Sequence, residues 1–140
     1  MKPNTWKFED IQEGYVTELA VFFVTERDME DFARITGDTN PLHGNDEFAK
    51  GKGFAKRVVY GMLLASKFSY LVGMLIPGLN ALYMTQDIVF KIPVYVGEQL
   101  ALKGTVLSKS ESTRIIELKT EILNAEGKVA VEGTARAKVL

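Results

Sequence analysis

The chain contains no cysteine and a single histidine, His43. The first absence removes disulfides, thiolate nucleophiles and thiolate metal ligands from consideration. The second means that any imidazole chemistry falls to one residue. Neither sign of charge prevails: 17 Lys and Arg stand against 18 Asp and Glu, a formal net charge of −1. The basic excess of a nucleic-acid binder is therefore missing. The longest apolar run lies near Tyr70–Ile76, far short of the roughly 20 residues that cross a bilayer as a helix. The N-terminal MKPNTWKFED has no signal-peptide core. The expectation is a cytoplasmic protein without a nucleic-acid or membrane partner.

What is there is ordinary for a globular chain. Hydrophobic residues make up 46% and charged residues 25% of 140 positions, enough for one hydrophobic core and one domain spanning residues 1–140. After an N-terminal segment with Trp6 and Phe8, Tyr15–Val24 is rich in β-branched and aromatic residues and reads as a strand. Thr25 with Asp28 is a weaker version of a capping box, Met29, Phe32 and Ala33 make one apolar helix face, and Gly37 is a natural stop. Asp38 then falls in irregular backbone just past a helix end. Asn40-Pro41 is expected to turn the chain out of helical geometry, and Asn45 to cap a short helical turn through Asp46–Lys50.

From Gly61 to about Met74 the sequence is apolar on nearly every side and reads as a buried helix, ended by Ile76-Pro77-Gly78. Leu82–Phe90, Gln99–Leu107, Thr113–Leu123 and Lys128–Val139 read as four strands. Ile116, Leu118, Thr120 and Ile122 alternate with Glu117, Lys119 and Glu121. Asn124-Ala125-Glu126-Gly127 suits a hairpin. The order predicts an α+β fold, an antiparallel sheet wrapped around one long central helix, and a homodimer, or an assembly of such dimers, that covers an open sheet edge.

Two stretches carry the chemistry. Phe32–Ala49 reads FARITGDTNPLHGNDEFA, with Asp38 five residues before His43, and Tyr60–Tyr70 reads YGMLLASKFSY. The first is similar to the signature of the (R)-specific enoyl-CoA hydratases, the MaoC-like group of hot-dog-fold proteins: F-A, three residues, a small residue, D-x-N-P-L-H, then F-A. Phe32, Ala33, Gly37, Asp38, Asn40, Pro41, Leu42, His43, Phe48 and Ala49 match it. The second resembles the family's HGMLLAS, and Phe90–Gly97 (FKIPVYVG) its F-x-x-P-V-x-V-G turn.

The resemblance implies a hot-dog fold and reversible, stereospecific hydration of trans-2-enoyl-CoA to the (R)-3-hydroxyacyl thioester. It makes Asp38 and His43 the catalytic pair that holds and activates water. The backbone N–H of Gly61 would polarise the thioester carbonyl, Ser69 would support the pair or the substrate, and Asn40 would shape the loop. Tyr60, counted among the substrate-binding residues, stands where the family commonly has histidine, a change expected to alter either a contact behind the catalytic pair or the mouth of the acyl tunnel. Gly44-Asn45 replaces a more usual apolar residue and aspartate. No cofactor or metal is implied, beyond coenzyme A or phosphopantetheine as the substrate's carrier.

The residue types suit the reaction. Carboxylate and imidazole beside one water supply both proton transfers, and a helix N-terminus offers N–H donors to a developing oxyanion. Simpler readings stand beside these. A D-x-N-P stretch is by itself a turn, Gly61 permits close packing, and Ser66 and Ser69 can bond their own helix. Lys50–Arg57 is either a solvated basic loop or a phosphate contact. At the level of function, the alternatives are a 3-hydroxyacyl dehydratase acting on acyl carrier protein, a hot-dog thioesterase (which the D-x-N-P-L-H motif disfavours), and a non-catalytic acyl-thioester binder.

Overall fold

The computed structural model describes residues 1–140. In chain order its elements are β1 (Ala20–Phe22), α1 (Glu26–Thr36), α2 (Pro41–Gly44), α3 (Asp46–Gly51), α4 (Gly61–Ala65) and α5 (Lys67–Tyr70). A single π-helical stretch (Leu71–Leu75) follows, then β2 (Ala81–Gln86), β3 (Val89–Phe90), β4 (Leu100–Ser110), β5 (Ile115–Leu123) and β6 (Val129–Val139). The strands form one antiparallel sheet in the order β1-β4-β5-β6-β2, with β3 also paired to β6. This sheet curls around the helical segment 61–75, the α+β arrangement expected from the sequence.

The alternation in β5 holds except at Glu121, which is buried where it pairs with Lys103 and Lys119. Ile116, Leu118, Thr120 and Ile122 are buried against the helix. Its outward Glu117 pairs with Arg136 across the sheet, at 3.1 Å. The hairpin before β6 is built by Asn124, whose side-chain oxygen accepts from the N–H groups of Glu126 and Lys128, both at 3.0 Å. In β6 the inward–outward alternation shifts at its start: Ala130 and Val131 are both buried while Val129 is not, because pairing with β5 slips between Ile122 and Leu123.

Four expectations need correction. Tyr15–Val24 is not a continuous strand: only Ala20–Phe22 joins β4 in register, and Val16 makes a separate bridge to Thr105. Between them, Thr17 diverts the chain by exchanging hydrogen bonds with Gly104 through its backbone and its side chain. Pro41 does not leave helical geometry but starts α2 at its first position, where the missing N–H costs nothing. The central helix is not one regular α-helix: it breaks at Ser66, whose hydroxyl donates to Leu63 O at 2.6 Å, and widens to a π-turn beyond Tyr70. Nor is it buried all round, since Met62 is 57% exposed. Finally, Leu82–Phe90 divides into β2 and β3, with a bulge at Met84 between Tyr83 and Thr85.

The core lies between helix and sheet in two clusters. Leu64, Ala65, Phe68 and Leu71 pack with Leu100, Leu102, Ile122 and Val131 in the first. Val72 and Ile76 anchor the second, which Phe8 and Ile11 of the N-terminal segment complete, both fully buried. Glycines set the closest approaches. A Cβ on Gly104 would come within 2.9 Å of the Leu71 side chain, and one on Gly133 within 1.9 Å of Asp87 O. The second is backbone against backbone and has no rotamer by which to escape. Gly133→Ala should therefore destabilise the fold by about 2 kcal/mol or more, in the range of overpacked cores. Urea unfolding measures this, and an unchanged midpoint would contradict the packing described.

Candidate active site

The site is written first in local backbone chemistry. Thr25 and Asp28 form a reciprocal capping box that starts α1, each side chain accepting the other's backbone N–H at 3.1 and 2.9 Å. Gly37 ends the helix in the left-handed region, φ 75°. The next residues fold by short-range side-chain bonds. Asp38 N–H donates to Thr36 Oγ1 (3.1 Å), Asn40 N–H to Asp38 Oδ1 (3.0 Å), and Leu42 N–H to Asn40 Oδ1 (3.0 Å). Asn40 is thus the N-cap of α2, and its carbonyl accepts from His43 N–H at 3.0 Å. The loop-shaping role expected of Asn40 has this geometry.

His43 projects from α2 towards Val58, and its Nδ1 lies 2.8 Å from Val58 O. A carbonyl oxygen only accepts, so this bond requires the proton on Nδ1. Neutral His43 then carries its lone pair on Nε2. The imidazole stacks on the Tyr60 ring, centroids 4.0 Å apart and planes 27° apart, and Phe32 packs against the same ring at 4.9 Å. Tyr60 OH donates to the backbone O of Asp38 at 2.6 Å. Burial, and secondarily the charge of Asp38, raises the Tyr60 pKa above the ordinary phenol value. That hydroxyl proton is engaged within the protein, and Tyr60 also lines the cleft.

Asp38, His43, Gly61 and Ser69 line one cleft of about 1100 Å³. Asp38 and His43 share this space without a hydrogen bond or ion pair between them. One carboxylate oxygen of Asp38 accepts from Asn40, and the other has no partner within the chain. Gly61 begins α4, and its N–H is given to no acceptor in the chain. A Cβ there would sit 2.8 Å from the Phe90 ring, so the close-packing role of Gly61 holds alongside any chemical one. Ser66 bonds its own helix, whereas the Ser69 hydroxyl makes no such bond and faces the cleft.

Thirteen of the 22 lining residues are hydrophobic, as a site for an acyl chain requires. The sequence did not single out Tyr83, Gln86 or Lys91 of this wall. Tyr83 OH donates to Gln86 Oε1, and Gln86 Nε2 donates to Asp87 O (2.7 Å) and Thr120 Oγ1 (2.9 Å). Burial pushes the Tyr83 phenol up to about 12. The bulge at Met84 was the missing signal, because it brings residues three apart onto one face. In the basic loop, Arg57 pairs with Glu26 and Lys50 with Glu47, while Lys52 lies over the Phe48 ring at 5.3 Å. No three His, Asp or Glu side chains converge as a metal-ligand set.

A profile of the MaoC like domain matches residues 8–127. The chain belongs to this family. The Rhodospirillum rubrum (R)-specific enoyl-CoA hydratase is 36% identical over 132 residues, 94% of this chain and 90% of that protein. The Aeromonas caviae enzyme of the same name is 40% identical over 108 residues, 77% and 81% of the two chains. A solved (R)-hydratase structure from A. caviae superimposes with a TM-score of 0.88 at 33% identity, covering 94% of this chain and 99% of that one. A tomato mitochondrial 3-hydroxyacyl-[acyl-carrier-protein] dehydratase is 34% identical over 126 residues, 89% and 74% of the two chains. These MaoC-like relatives are hydro-lyases, and the hot-dog expectation agrees with the superposition.

Proposed function

We propose that this MaoC-like protein catalyses the reversible addition of water to trans-2-enoyl-CoA, giving the (R)-3-hydroxyacyl thioester. The observation that carries this reading is the placement of Asp38, His43 and the unengaged Gly61 N–H around one apolar cleft. A water held between the free Asp38 oxygen and His43 Nε2 is oriented towards C3. As its oxygen bonds to C3, its proton passes to the pair, and the pair returns a proton to C2. The double bond's electron density moves transiently onto the thioester oxygen. The Gly61 N–H, at the positive end of α4, stabilises that charge. Ser69 offers a free hydroxyl further along the same wall. Lys52 and Lys56 are the loop cations without a carboxylate partner, and are assigned to the carrier's phosphates.

Dehydration of 3-hydroxyacyl groups on acyl carrier protein is the second reading, favoured by the tomato relative. The chemistry is the same in reverse, and the carrier distinguishes them. A homodimer is proposed as the working unit, joined through the open edge of β2 and β3. Leu82, Met84, Val89 and Phe90 are each about half exposed there, an unusual load of apolar surface for an edge strand. Light scattering should give the mass of two chains, and a single-chain mass at micromolar concentration would remove this part of the proposal.

The activity is tested by following the conjugated enoyl-thioester absorbance of crotonyl-CoA. Wild type should consume it without releasing free thiol. Asp38→Asn and His43→Ala should each lose about 10²- to 10⁴-fold in kcat while remaining folded. Thiol release would indicate a thioesterase. Binding without turnover on either carrier would leave an acyl-thioester binder.

A further inference from the structure

Among the residues around the cleft, Tyr60 alone joins all three proposed catalytic groups. Its ring lies face-on against the His43 imidazole, its hydroxyl holds the Asp38 backbone, and its peptide bond leads directly to the Gly61 N–H. We propose that Tyr60 is a positioning residue that sets the separation of Asp38 and His43 and registers both against Gly61. This rests on the hydratase reading above.

The loop itself shows why such a residue is needed. Residues 37–40 are exposed, and their other hydrogen bonds all stay within residues 33–43. Those bonds fix the loop's internal shape but not where it sits. The Tyr60 hydroxyl bond, spanning 22 residues of sequence, ties that shape to the body of the fold. His43 has the complementary problem. Its Nδ1 bond to Val58 O fixes one edge of the ring and leaves rotation about that bond free. Stacking at 4.0 Å with planes 27° apart removes this freedom, so the two contacts together define where Nε2 points.

Tyr60 is itself immobilised. It is only 5% exposed, packs against Phe32 of α1, and belongs to the larger core cluster. Burial keeps the phenol protonated through the neutral range, so the donor is present wherever the reaction would run. A histidine here would lack the para-hydroxyl that projects beyond the ring to reach Asp38 O, so the tether depends on the tyrosine.

Two variants separate the contacts, assayed with crotonyl-CoA. Tyr60→Phe keeps the stack and removes only the tether. Its kcat should fall about three- to tenfold, the equivalent of one hydrogen bond, with KM changed by less than about twofold. Tyr60→Leu removes both contacts and should lose roughly a further tenfold in kcat. A second readout needs no turnover, because the single histidine gives one imidazole Cε1–H resonance. It should be shifted by the ring current in wild type and Tyr60→Phe, and return towards the free-imidazole position in Tyr60→Leu. A rise in KM at unchanged kcat would make Tyr60 a substrate contact and overturn the proposal. So would an imidazole resonance identical in all three proteins. Loss of wild-type activity on every substrate would overturn the hydratase reading, and the resonance would still decide whether Tyr60 positions His43.

Discussion

A carbonyl oxygen has lone pairs and no proton, and the carbonyl of Val58 lies 2.8 Å from Nδ1 of the chain's only imidazole. That pairing forces the His43 proton onto Nδ1 and turns Nε2 into the available base. The constraint is as firm as the position of Val58, which is fixed from two sides. Val58 N–H donates to Leu42 O at 3.0 Å, and Val59 N–H donates to Val94 O at 2.8 Å. The residue that selects the tautomer is thus tied both to the helix carrying His43 and to the chain that leaves β3. The orientation of one nitrogen is traceable to the sheet.

The remaining parts of the site divide between local and tertiary causes. Successive side-chain-to-backbone bonds from Thr36 to Leu42 give the loop its shape without help from the core. The cleft wall, by contrast, exists only because α4 and α5 lie against a sheet whose glycines allow close approach. Phe90 fits against Gly61, and Leu71 against Gly104. An apolar wall lowers the effective dielectric around whatever charge forms beside it, which strengthens a hydrogen bond from the start of α4. Position and environment come from different levels of the structure, and the proposed chemistry needs both.

What was legible in the sequence follows the same division. The Thr25–Asp28 capping box, the stop at Gly37, the Asn124 hairpin and the alternation along β5 are short-range patterns, and the structure keeps them. Asp38, His43, Gly61 and Ser69 also reach one cleft, as the two motifs suggested. The misreadings came partly from local ambiguity and partly from tertiary contacts. Nothing local says that Pro41 begins a helical turn instead of ending one, since proline is compatible with both. At the break, the Ser66 hydroxyl turns back to Leu63 O, a bond that serine also makes inside regular helices. Tyr83 and Gln86 share the cleft because a bulge intervenes and because Gly133, far along the chain, leaves room for the backbone at Asp87. The partner of the Tyr60 hydroxyl is a backbone carbonyl, Asp38 O, which no sequence pattern names.

The tautomer of His43 is the most direct test of this account. Labelling the protein with ¹⁵N-histidine yields a single imidazole, so its two nitrogen resonances need no assignment against competitors. At alkaline pH, where an imidazole is neutral, the account predicts a protonated Nδ1 and a bare, downfield Nε2 coupled to both ring carbon-bound protons. A bare Nδ1 would contradict it. Val58 O could then not be its partner, and His43 would have no free base facing the cleft.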